Sequence, residues 1–200
     1  MLLERTHTCG ELRSEEVDRE VIVQGWASAV RDRGGLAFVV LRDRHGEVQI
    51  TVDERSPDAV RELVHSVRLE YVLQVRGVVA LRHVGAVNDK MPTGKIEVVA
   101  TELEVLAPTR PLPFALNNWG NAHEETRLKY RYLDLRRPGL QVNLITRHRA
   151  AMAMRKTLSE MDFIEVETPI LTKATPEGAR DYLVPSRVHP GEWYALPQSP

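Results

Sequence analysis

"GEVQITVDERSPDAVRELVHSVRLEYVLQVRGVVALR", residues 46 to 82, decides how the first half of the chain folds. It opens on strict alternation, with Val48, Ile50 and Val52 facing one way and Glu47, Gln49, Thr51 and Asp53 the other. Period two of this kind marks a strand with one buried face. The alternation breaks at Ser56-Pro57, which reads as a helix start with Ser56 as N-cap and Pro57 at the first helical position. Ala59, Leu63, Val64 and Val67 then recur at helical spacing, and from Tyr71 the β-branched run resumes.

Working outward, "EVIVQGWASAVRD" (20–32) and "GLAFVVLRD" (35–43) precede this stretch, and "GKIEVVATELEVL" (94–106) follows it. Gly-Gly, His-Gly, Ser-Pro and Pro-Thr-Gly signals bound the runs. Five strands with one helix between the third and fourth is the order of an OB-fold barrel. Another small β-barrel or a sandwich has the same ingredients in a different order.

Two hundred residues suit two units better than one. With 42% hydrophobic and 28% charged residues, the chain is neither disordered nor fibrous. A net charge of −1 means that any nucleic-acid role must come from local patches. The single cysteine, Cys9, rules out an internal disulfide framework and a Cys-rich zinc site. The seven histidines show no metal-ligand spacing, so no metal site is expected. "MLLERTHTCGELRSEE" lacks the apolar core of a signal peptide, and no run approaches a membrane span. A cytoplasmic protein with no membrane contact is expected.

From Ala107 to Ala122 the periodicity dissolves into "APTRPLPFALNNWGNA", a linker. Between Arg127 and Lys156 stand nine Lys or Arg against one acid, Asp134, a local charge of +8. Tyr130 and Tyr132 lie within it. Cations beside aromatics after an OB-like barrel are the footprint of nucleic-acid binding, although a basic run can equally be a solvated helix face. From Leu144 the run turns helical, with Leu144, Ala151, Met154, Leu158 and Met161 on one face. Phe163 to Leu171 reads as a strand, and Pro169 inside it demands an edge or an interface. The expected division is 1–106 for the barrel, 107–140 for linker and basic hinge, and 141–200 for the start of a second domain, α+β overall.

On the barrel, Arg31 ends the first strand, Phe38 lies on the second and Gln49 projects from the polar face of the third. OB barrels bind single-stranded nucleic acid across strands two and three, so Phe38 suits a stacking platform and Gln49 a reader of base edges. Core packing is the competing role for Phe38, whose neighbours Leu36 and Val40 share its side. Trp26 is expected in the core.

"RLKYRYLDLRRP", then "FIEVETPIL", "TKATPEGARDYLVPSR" and "YALPQSP" resemble the bacterial type of aspartyl-tRNA synthetase, a class II aminoacyl-tRNA synthetase. The resemblance runs from end to end and includes "GWASAVRDRGGLAFVVLRDRHGEVQI". It implies an OB-fold anticodon-binding domain, a short hinge and the beginning of an antiparallel class II catalytic domain. It also implies ATP and Mg²⁺ in the whole enzyme, with tRNA(Asp), L-aspartate and a second copy of the chain as partners. "FIEVETPIL" matches the first class II motif, which puts Pro169 at the homodimer interface. Thr172, Lys173, Ala174, Thr175, Pro176, Gly178 and Ala179 match a lid loop whose glutamate, Glu177, helps hold the substrate ammonium. A carboxylate beside a glycine can swing in to pair with a cation. Gln198 and Ser199 match the aspartate pocket, and Arg31, Phe38, Gln49 and Glu97 match the anticodon-reading positions. Arg136 and Arg137, in the basic run, are assigned to tRNA backbone contacts.

Two features depart from the family pattern. Ala29 and Val30 replace two members of a basic triplet and leave Arg31, while Arg33 occupies a loop position that varies with tRNA specificity. The arginines that would contact ATP are expected beyond Pro200, so none of these residues is assigned a catalytic role. The reading is an N-terminal portion of an aspartate–tRNA ligase; the alternative is a non-catalytic tRNA-binding module or paralogue.

Overall fold

The computed structural model describes residues 4–116, 122–174 and 181–196. The chain divides into two compact units, Met1–Pro113 and Phe114–Pro200. The division falls inside the proline-rich segment, seven residues past the boundary expected from the end of the β pattern.

The first unit is a closed five-stranded barrel: β1 (Glu20–Asp32), β2 (Ala37–Arg42), β3 (Glu47–Val52), β4 (Val72–Leu81) and β5 (Ile96–Ala107). β1 pairs antiparallel with both β2 and β4, and β5 closes the ring by lying antiparallel to β4 and parallel to β3. This is the OB order. The alternation read in the sequence fills the inside: Val21 and Val23 from β1, Val39 and Leu41 from β2, Val48 and Ile50 from β3, Leu73 and Val75 from β4, and Ile96 and Val98 from β5 are buried. Closure leaves the barrel without an open sheet edge.

The helix α1 (Asp58–Val64) follows β3 as expected, but its details shift by one residue. Pro57 is the N-cap, and Ser56 instead closes a turn in which its N–H donates to the Asp53 carbonyl at 3.0 Å. The stripe that reaches the core is Val60, Val64 and Val67, whereas Ala59 is exposed. Alanine carries little apolar area, so the three valines set the phase. Trp26 is likewise not in the core: Gly25 and Ala27 beside it point inward, and the indole sits half-buried on the outer face.

The second unit contains α2 (Glu124–Lys129), α3 (Arg131–Asp134), α4 (Pro138–Glu160) and a hairpin of β6 (Tyr182–Pro185) with β7 (Trp193–Leu196). α4 begins six residues before the expected Leu144, with Pro138 at its start, where the missing N–H costs nothing. None of its residues is buried, so the apolar stripe from Leu144 to Met161 faces outward among the described residues. Phe163 to Leu171 is not a strand here: β6 and β7 pair with each other, and the nearest ladder contact is an isolated bridge from Thr172 to Ala195. Side chains such as Ile164, Val166 and Ile170 are exposed, and Pro169 lies on the surface with them. A β-branched run supplies strand propensity, but a strand also needs a partner for its backbone.

Gly77 tests the barrel's close packing. It lies at a register shift between β4 and β5, and a Cβ there would meet the Val99 carbonyl oxygen at 2.3 Å. Gly77→Ala is therefore expected to lower stability by about 1–3 kcal/mol, the cost of overpacking a tight site. Urea unfolding followed by circular dichroism checks this; an unchanged midpoint would mean that β5 can move aside.

Candidate nucleic-acid interface

The outer faces of β1, β2 and β3 form one wall of a groove of about 490 Å³. Arg31, Phe38 and Gln49 line it together, joined by Arg33 and Val40 and, from the β4–β5 connection, by Arg82, Asn88 and Met91. How Arg31 comes to lie there is decided two turns of the pleat earlier. In β1, Val21, Val23 and Ala27 are inward, and unbroken alternation would also send Arg31 into the core. A bulge between Ala27 and Ala29 inserts Ser28 and reverses the phase. Beyond it Val30 packs against the core opposite the buried Val39, and Arg31 emerges opposite Phe38. Ser28 is held by donating from Oγ to Glu47 Oε1 at 2.9 Å.

On β2, Ala37, Val39 and Leu41 point inward, so Phe38 lies on the outside, half-buried in the groove. The choice between core and surface is settled in favour of the surface. Gln49 donates from Nε2 to Glu97 Oε2 at 3.1 Å and, at longer range, to Thr51 Oγ1 at 3.4 Å. Both donations use Nε2, so its Oε1 can serve as an acceptor in the groove that Gln49 lines. Glu97 also accepts from Thr51 Oγ1 at 2.7 Å and stands 3.5 Å from the Arg55 guanidinium. Glu97 thus ties Gln49 to Thr51 and stands near Arg55. Asp53 hydrogen bonds raise the Arg55 guanidinium above its ordinary pKa and, reciprocally, lower that of the Asp53 carboxyl.

Arg82 escaped the sequence reading, because one arginine at a strand end carries no signal. It is buried, donates from Nε to the Ile96 carbonyl at 2.8 Å, and leaves Nη2 buried without a hydrogen-bond partner in the described structure. Burial lowers its pKa, and the charge of Glu97 partly offsets this. A buried N–H left without an acceptor is costly, and Arg82 lines the groove. The floor thus combines an aromatic face, an amide acceptor and guanidinium donors, which can stack a base, read its edge and meet phosphate or carbonyl oxygens.

The other expected site residues lie in the second unit. Arg137 is buried, with Nη1 donating to Asp134 Oδ1 at 3.4 Å and its guanidinium 5.9 Å from the Phe114 ring centre. The side chain expected to contact the tRNA backbone is thus engaged inside the fold. Arg136 is half-exposed. Asp134 is fully buried and also accepts from Arg127 Nε at 3.0 Å and Arg131 Nη1 at 3.1 Å. Burial alone would raise its carboxyl pKa, but hydrogen bonds and charge from these arginines hold it below the usual range. Thr172 exchanges both backbone hydrogen bonds with Ala195, while Lys173 and Ala174 are exposed. Thr175, Pro176, Glu177, Gly178, Ala179, Gln198 and Ser199 lie outside the described residues. Among the described residues no group of three or more His, Cys, Asp or Glu could hold a metal ion, and no helix is long and apolar enough to cross a membrane.

Comparison with known proteins agrees with this fold. Residues 21–106 match the family model of the OB-fold nucleic acid binding domain, and residues 123–200 that of the class II tRNA synthetases (D, K and N). The fold is therefore an OB barrel followed by the start of a class II synthetase catalytic domain. Aspartate–tRNA(Asp/Asn) ligase of Caldanaerobacter subterraneus is 54% identical over 99% of this chain, which covers 33% of that protein. Aspartate–tRNA ligase of Fervidobacterium nodosum is 52% identical over 98% of this chain and 33% of its own length. The crystal structure of asparaginyl-tRNA synthetase from Pyrococcus horikoshii superimposes with a TM-score of 0.82 at 26% identity, over 99% of this chain and 43% of that one. Over nearly its whole length the chain is thus similar to the N-terminal portion of aspartate–tRNA ligases. It spans about a third of the length of the curated relatives it matches.

Glu97 is the residue whose loss separates orientation from contact. Glu97→Ala leaves the buried Thr51 hydroxyl without its acceptor and frees the Gln49 amide. A loss of about 1–3 kcal/mol in stability is expected, together with weaker binding of an anticodon stem–loop RNA. Parallel urea titrations and RNA-binding isotherms check both; unchanged binding would show that Gln49 needs no support.

Proposed function

We propose that this chain serves an aspartate–tRNA ligase: ATP-dependent activation of L-aspartate, then transfer to the 3′ adenosine of tRNA. The observation that carries the reading is the convergence of Arg31, Phe38 and Gln49 in one groove of an OB barrel, with Glu97 bonded to Gln49. In this reading the groove takes the unpaired anticodon bases of tRNA(Asp). Phe38 stacks one base, Gln49 and the Arg31 and Arg82 guanidinium groups meet base edges and phosphates, and Arg136 contributes a backbone contact. Glu177 pairs with the substrate ammonium, with Gln198 and Ser199 beside the aspartate. Pro169 lies at the interface with a second copy, and the protein works in the cytoplasm. Mg²⁺ would accompany ATP, and the described residues supply no ligand set for it, so no step is assigned to it.

Two measurements test this. Phe38→Ala is expected to weaken binding of the aspartate anticodon stem–loop by about 1–3 kcal/mol, the worth of one stacked base. Because Phe38 is outside the barrel, the unfolding midpoint should change little; lost stability with native affinity would return it to a packing role. In the full-length enzyme, Glu177→Gln keeps size and an acceptor but loses the charge that pairs with the ammonium. A charged hydrogen bond is worth about 1.5–3 kcal/mol, so KM for aspartate should rise roughly ten- to a hundredfold with ATP binding intact. Aspartate-dependent pyrophosphate exchange reads this, and an unchanged KM would reduce residues 175–179 to an ordinary turn.

A further inference from the structure

The tip joining β1 to β2, Arg33-Gly34-Gly35-Leu36, carries one groove arginine, and only Asp32 separates it from another, Arg31. Gly34 and Gly35 both have positive φ, +62° and +95°, and a side chain added at either would meet nothing within 4 Å. Local hydrogen bonds shape the tip: Arg33 N–H donates to the Leu36 carbonyl at 2.9 Å, and Gly34 N–H to Asp32 Oδ1 at 3.1 Å. A third contact comes from far along the chain. The Asp32 carboxylate uses its other oxygen, Oδ2, to meet His65 Nδ1 at 2.5 Å. His65 is the C-cap of α1, whose Val60 and Val64 are anchored in the core. A cation at a helix C-terminus is favoured by the helix dipole.

We propose that the His65–Asp32 contact is a positioning device: it ties the β1–β2 tip to α1, so that Arg31 and Arg33 are held ready at the groove and RNA binding strengthens when the imidazole is protonated. The inference rests on the groove being the RNA site. The neutral imidazole can hold the carboxylate by one N–H, and the imidazolium holds it by that bond plus charge. The hydrogen bond from His65 and that from Gly34 N–H keep the Asp32 carboxyl below its ordinary pKa, so it stays ionised through the imidazole range. The groups around His65 do not compete for this role. Arg61 of α1 is paired with Asp58, and Arg68 donates to the His65 carbonyl at 2.6 Å. β2 and β3 contribute only Ala37 and Val52 to the recess beside the ring.

The test measures binding of a labelled aspartate anticodon stem–loop to the full chain by fluorescence anisotropy, between about pH 5.5 and pH 8. Unmodified protein, His65→Ala, His65→Lys and Asp32→Asn are compared, with thermal unfolding as the control for folding. Unmodified protein should bind more tightly toward low pH. His65→Ala and Asp32→Asn should weaken binding at the acid end by about two- to fivefold, the range for an exposed pair, and remove the slope. His65→Lys should restore affinity with a flat profile, because its cation persists throughout; a generic structural loss would not be rescued in this way. A His65→Ala profile that overlays the unmodified one overturns the proposal and leaves the groove standing. Failure of the unmodified protein to bind the stem–loop overturns both readings.

Discussion

One inserted residue, Ser28, sets the chemistry of the barrel's outer face. A strand has only two faces, so the same alternation that fills the interior with Val21 and Val23 would have buried Arg31. A guanidinium inside an apolar barrel costs several kcal/mol, so the uninterrupted register is not available to this sequence. The bulge resolves the conflict by sending Val30 in and Arg31 out. It also bears on the departure from the family's basic triplet. Position 30 faces the core, where valine is the residue that packs, and position 31 is the one that reaches the groove. Ser28 in turn is fixed by Glu47 of β3, so three strands cooperate to place one cation.

Much of this was legible in the sequence and some was not, for physical reasons. Five β-branched runs with a helix between the third and fourth specify the barrel, because period-two burial and turn residues act locally. The resemblance marked Arg31, Phe38, Gln49 and Glu97, and the fold brings them together. The bulge was hidden, because no residue type announces a register shift. Arg82 was hidden too, since its role depends on a carbonyl from Ile96 and an outer groove formed across the barrel. The phase of α1 was misread by counting Ala59 as equal to Val60. Phe163 to Leu171 has the composition of a strand, but pairing is a property of two segments, and composition describes one.

The basic run from Arg127 to Lys156 shows how a fold divides a local charge. Its +8 was a reason to expect phosphate contacts. Three of its nine cations, Arg127, Arg131 and Arg137, converge on Asp134, the run's one acid, which is fully buried. A lone buried carboxylate would be strongly disfavoured, so the arginines are needed to keep it ionised, and it in turn gathers α2, α3 and the start of α4. Arg155 is bound to Glu165, and Lys156 stands 3.7 Å from Glu160, both partners lying just outside the counted window. At least five of the nine cations are thus already paired within the chain. The groove on the barrel has the opposite character: it belongs to a chain of net charge −1, yet Arg31, Arg33 and Arg82 meet there around an aromatic ring. What a nucleic acid meets is the charge left after the fold has used its own, at the place where the backbone register lets it emerge.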